Sequence, residues 1–123
     1  MKKVVCLLTL TLLLAWAVPG TSDLAPIKKA MVGYLALMSS LLAAIVAEDF
    51  ARALPLAQSL AASAAAMETR MAGRPDASFY ASLKLAAQKM EQSLKDKNVS
   101  ESVSAYGSTL GACMGCHTAL RKE

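Results

Sequence analysis

Histidine occurs once in this sequence, at His117, and cysteine only three times. A structural zinc site takes four ligands, usually as two distant pairs, and with Cys6 in the apolar leader the rest of the chain offers one cysteine pair and one histidine, so such a site is not expected. No carboxylate pair and no nucleophile constellation stands out, which leaves no obvious acid–base machinery, and an enzyme is not expected. Lysine and arginine form no basic run, so a nucleic-acid partner is not expected either. β-branched residues are few and nowhere alternate with polar ones, which argues against strands. Internal repeats and long linkers are absent. The apolar run near the start, Val4 to Leu14, falls short of the about twenty residues a membrane span needs, and no span is expected in the mature chain.

What is present begins with an export signal. Lys2 and Lys3 form a positive n-region, Val4 to Leu14 an apolar core broken by two threonines, and Ala15-Trp16-Ala17 an A-x-A-like cleavage site. Pro19-Gly20 breaks any helix leaving it. Residues 1–22 are expected to be a signal peptide cleaved between 17 and 23, leaving one domain over 23–123 in the periplasm. Of 13 basic residues Lys2 and Lys3 leave with the signal, so 11 against 9 acidic ones give the mature chain a formal charge of +2. Cys6 leaves as well, so Cys113 and Cys116 remain, in an oxidising compartment.

The mature chain reads as four amphipathic helices. Apolar residues recur in threes and fours along Ile27, Met31, Tyr34, Met38, Leu41 and Ile45, the signature of one helix face. A second stripe runs from Phe50 through Ala53, Ala57, Leu60 and Ala64 to Met67 and Met71, with Pro55 predicting a start near Leu54 or a bend there. Gly73-Arg74-Pro75 ends it. The third helix, opened by Asp76 or Ser78, carries Phe79, Leu83, Ala87, Met90 and Leu94. The fourth carries Val103, Tyr106, Leu110, Cys113, His117 and Leu120. Short connections between such helices imply an all-α, antiparallel up-down-up-down four-helix bundle.

The chemistry sits at the end of the fourth helix, in Cys113-Met114-Gly115-Cys116-His117. At about 100° per residue, Cys116 lies roughly 60° to one side of Cys113 and His117 roughly 40° to the other, so all three are expected to address one patch of the interior. C-x-x-C-H is the form of c-type haem attachment, in which two thiols take the vinyl groups and the histidine reaches the iron. A thioredoxin-like pair favours the positive end of a helix, and this pair lies near a C-terminus, where the dipole opposes a thiolate. A disulfide within one turn would close too small a loop to stabilise anything. One covalent haem c is therefore the expected cofactor, and His117 is the only histidine that can ligate it. Topology brings the start of helix one and the end of helix two to the same end of the bundle, which makes Met31 the first candidate for the sixth ligand, with Met67 and Met71 approaching the same end.

These features resemble the cytochrome c′ family, the class II c-type cytochromes. Cys113 to Arg121 is similar to that family's C-x-x-C-H-x-x-[aromatic]-R ending, with Leu120 departing from the aromatic. Ile27-Lys28-Lys29-Ala30-Met31 resembles the family's Tyr-Arg-Gln-x-x-[Leu or Met] stretch in helix one. Aligning Lys28 with the family's arginine puts Val32 at the distal place, whereas aligning through Ala47-Glu48-Asp49 puts Met31 there. The resemblance implies that Arg121 lies beside the haem periphery. It also implies a choice of function. With His117 and Met31 as axial ligands the chain is expected to be an electron carrier serving redox partner proteins. With Val32 facing the iron it is expected to bind a diatomic gas, nitric oxide or carbon monoxide. A homodimer through the apolar faces of helices one and two is a further expectation.

Overall fold

The computed structural model describes residues 25–121, so the expected signal peptide lies outside the described residues. Four helices pack against one another: α1 (Ala25–Val46), α2 (Phe50–Arg70), α3 (Ala77–Lys95) and α4 (Val99–Leu120). No strand occurs among the described residues. Cross-links fix the antiparallel register. The Tyr34 hydroxyl donates to the Ser63 carbonyl at 3.2 Å, Gln58 Nε2 to Glu91 Oε1 at 3.2 Å, and the Tyr106 hydroxyl to the Met38 carbonyl at 3.1 Å. Lys84 pairs with Glu68 between α2 and α3, and the Ser93 and Ser102 hydroxyls meet at 2.9 Å between α3 and α4.

Two of the three connections use the same chemistry. Glu48 and Lys97 adopt φ of 54° and 52° two residues past the ends of α1 and α3. In each, the left-handed residue donates to a carbonyl three back and the next residue to one five back: Glu48 to Ile45 and Asp49 to Ala44, then Lys97 to Leu94 and Asn98 to Ser93. This is the Schellman closure, here built without glycine. The following Asp49 and Asn98 then cap α2 and α4, accepting from the backbone N–H of Arg52 and Glu101 at 3.1 Å each. Asp49 explains why α2 starts at Phe50 rather than near Leu54; Pro55 stands inside the helix. The third connection turns at Gly73, φ 82°, and is held by the Arg74–Asp76 ion pair at 3.0 Å. Asp76 is engaged there and makes no cap bond to α3.

The predicted stripes of α1, α2 and α3 form the core, with Leu41, Leu60, Ala57, Ala64, Ala87 and Met90 fully buried. α4 differs from expectation. Its buried residues are Ser102, Ala105, Thr109 and Cys116, while Val103 and Leu110 are 54% and 46% exposed. Small residues let α4 lie close to α3, which rotates the expected stripe towards α1. There the bundle is loosest: α2/α3 and α3/α4 are the tightest pairs, and α1 and α4 touch least. α1 also carries no charge from Ala30 to its end at Val46. By length and composition it could cross a membrane, with mean hydropathy 1.8 over its most apolar window, of which 28% is buried. Core helices of soluble proteins and signal sequences share this property.

Candidate functional site

The cysteine pair lies in the last two turns of α4, over α3. Gly115 faces the Phe79 ring, and a Cβ there would make ordinary contact with it at 3.4 Å. Cys116 is buried, Cys113 half-buried, and both thiols are free. Burial pushes the Cys113 thiol up, opposed by a backbone hydrogen bond. Burial, then the Asp76 carboxylate and the neighbouring Cys113 thiol, push the Cys116 thiol up as well. Both therefore stay protonated at neutral pH, unlike the depressed thiols of redox-active pairs.

His117 is exposed, not core-facing as the helical wheel suggested. It stands farther round towards α1, where α1 and α4 part, and so borders solvent. An apolar cleft of about 320 Å³ opens at this point. Its α1 wall carries Met31, Val32, Leu35 and Met38, and its α4 wall Leu110, Cys113 and His117, with Tyr34 between them. Val32 and Leu35 are 70% and 69% exposed here, a pair of apolar side chains that water does not favour. Met31 is half-buried and packs against the core, whereas Val32 points more to solvent.

Behind Cys113 lies a second, narrow void of about 10 Å³, bordered by Met31, Tyr34, Phe79, Tyr80, Leu83 and Cys116. Tyr80 is 2% exposed and its hydroxyl is buried without a hydrogen-bond partner. Burial pushes the Tyr80 phenol up, and it pushes Tyr34 up from 10.0 to about 12, with smaller contributions from Tyr80 and Cys113. Tyr34, Tyr80 and Phe79 line the site without having been foreseen as site residues. Tyr34, one turn after Met31 on the same face, could have been found by helical spacing; Tyr80 comes from α3 and needs the fold.

Met31, Cys113, Cys116 and His117 are thus brought to one region. Arg121 is exposed one turn past His117, and its side chain makes no ion pair among the described residues. The arrangement offers two unengaged thiols, an imidazole and a thioether sulfur round an apolar space. It could hold a flat, largely apolar group that takes two thiol attachments and soft axial ligands. No group of three or more His, Cys, Asp or Glu side chains that could hold a bare metal ion occurs among the described residues. Comparison with protein-family models, with curated proteins and with solved structures produced no match to this chain.

Proposed function

We propose that this chain is an exported c-type cytochrome that carries electrons through one haem, attached through Cys113 and Cys116 and ligated by His117 and Met31. The observation that carries the reading is the cleft: Cys113 and His117 of the C-x-x-C-H motif line one wall and Met31 of α1 the other, while Cys116 borders, with Cys113 and Met31, the narrow void behind it. The haem would supply the one-electron Fe(III)/Fe(II) couple. Cys113 and Cys116, one helical turn apart, give two anchors at a fixed separation. Met31 is the better-placed distal donor because it packs inward, and a thioether favours the reduced iron. Val32, Leu35 and Leu110 are exposed on the cleft walls, and burying them against a haem would remove that exposure. The proposed export is compatible with the apolar N-terminal character of the chain, and the periplasm is the compartment it implies.

Val32 also lines the cleft, which favours a second reading: an open sixth position that binds nitric oxide or carbon monoxide. Met31→Ala separates the two. In the carrier, the substitution converts a low-spin spectrum to a five-coordinate one and admits carbon monoxide. An unchanged spectrum would remove Met31 from the iron, and a wild-type protein that binds carbon monoxide without displacing a ligand would favour the gas binder.

A further inference from the structure

Charged side chains are segregated between the two ends of the bundle. The half bearing Cys113, Cys116 and His117 consists of the start of α1, the end of α2, the α2/α3 turn, the start of α3 and the end of α4. Among the described residues it holds six cations, Lys28, Lys29, Arg70, Arg74, Lys84 and Arg121, against two carboxylates, Glu68 and Asp76. Both carboxylates are already engaged, Glu68 by Lys84 and Asp76 by Arg74. Lys28, Lys29, Arg70 and Arg121 are exposed and enter no ion pair among the described residues. The opposite half reverses the balance. There Glu48, Asp49, Glu91, Asp96 and Glu101 outnumber Arg52, Lys89, Lys95 and Lys97 by one.

The unpaired cations also have a local arrangement. Lys29 from α1 and Arg70 from α2 border one groove of about 390 Å³, whose lining includes Ala30, Gly33, Leu37 and Ala66. Lys28 and Arg121 lie on the other side of α1's start, one turn from cleft residues Val32 and His117 respectively. Four unpaired like charges gathered at one end repel one another and create a field that an anionic surface relieves. Helix dipoles do not cancel this charge, because two N-termini and two C-termini share the end.

We propose that this end is the docking surface for an acidic face on a redox-partner protein, with partner carboxylates received between Lys29 and Arg70. The proposal rests on the electron-carrier reading and adds the partner's chemical class and the face it uses. A protein partner fits better than an anionic lipid surface. Membrane-surface helices flank one apolar face with their own cations, whereas these cations come from three helix ends and the charge-free stretch of α1 from Ala30 to Val46 carries none.

The test uses the haem-loaded protein, reduced and then mixed with ferricyanide or with a tris-phenanthroline cobalt(III) cation. Each encounter moves one electron from haem iron to the oxidant's metal, with no bond made and no proton moved. Salt is raised from about 10 mM to about 150 mM, over which the screening length falls from about 30 Å to about 8 Å. The expected result is a ferricyanide rate that falls with salt and a cobalt rate that does not. Lys29→Glu with Arg70→Glu should slow ferricyanide roughly tenfold at low salt. Glu48→Lys with Glu101→Lys, at the opposite end, should leave it unchanged. Equal salt slopes in wild type and the Lys29/Arg70 variant, with the haem spectrum intact, would overturn the docking surface alone. Salt-resistant binding to phosphatidylglycerol vesicles would overturn the partner class. A protein without covalent haem would remove the carrier reading itself.

Discussion

The α2/α3 side of the bundle and the α1/α4 side are packed by different kinds of side chain. Four of the six buried residues of α2 are alanines, Ala53, Ala57, Ala61 and Ala64, and α2 and α3 approach closely. α1 buries Ile27, Tyr34, Met38, Leu41 and Ile45 with a single alanine, Ala44, and α4 reaches it mainly through Tyr106 and the cleft. Small side chains let backbones pack to the density of an organic solid; long ones hold helices apart. The closely packed side is a scaffold, and the open side is where a group can enter without the scaffold being rebuilt. The cysteine pair stands at the junction, with Cys116 turned to the first side and His117 to the second.

The largest effect should come from the scaffold. Leu60→Ala, at a fully buried position, should lower unfolding free energy by about 2–5 kcal/mol in urea denaturation of the haem-free protein. A smaller loss, near 1 kcal/mol, would mean that the alanine-rich side can collapse round a cavity.

Next comes an alkaline limit set by the open side. Tyr34 keeps its proton in the folded state to about pH 12, against an ordinary value of 10.0. Above that ordinary value the unfolded chain releases the proton first. Stability is therefore complete below pH 10 and declines as pH rises towards 12, by at most about 3 kcal/mol. Tyr80 and Tyr106 are shifted in the same direction and add to the decline. Urea titrations at about pH 9 and about pH 12 should show the loss, and Tyr34→Phe should reduce it; an equal loss in that variant would assign it elsewhere.

Overpacking tests the contrast directly. Ala57→Leu should destabilise by about 1–3 kcal/mol, because nothing on that side can yield. Leu35→Ala, in the cleft wall, should change haem-free stability by no more than about 0.5 kcal/mol. Comparable losses in the two variants would erase the distinction between scaffold and cleft. The smallest effect belongs to Tyr80→Phe. Since the hydroxyl has no partner, its removal should be neutral or slightly stabilising in thermal melts. A loss above about 1 kcal/mol would reveal a hydrogen bond at that atom.

The helices of this fold were legible because apolar residues recur with helical period through α1, α2 and α3. The start of α2 was not, since Pro55 suggested a boundary that the Asp49 cap overrides. α4 was misjudged in rotation: serine, threonine and alanine fill its buried face, and a hydrophobic pattern search passes over Ser102 and Thr109. Of the candidate site, the sequence named Cys113, Cys116, His117 and Met31, which the fold brings to one region. Its aromatic backing, Phe79 and Tyr80, was not legible, because those residues reach it from a different helix. His117 was expected inside and stands at the rim, a difference that depends on how far apart α1 and α4 settle.

The most direct test is to express the full chain with a haem-maturation system, denature the product, and ask whether haem absorbance stays with the polypeptide. The account predicts covalent haem, lost when Cys113 and Cys116 are both changed to serine, and a low-spin spectrum in the native protein. Polypeptide free of haem after denaturation, with both cysteines intact, would contradict it.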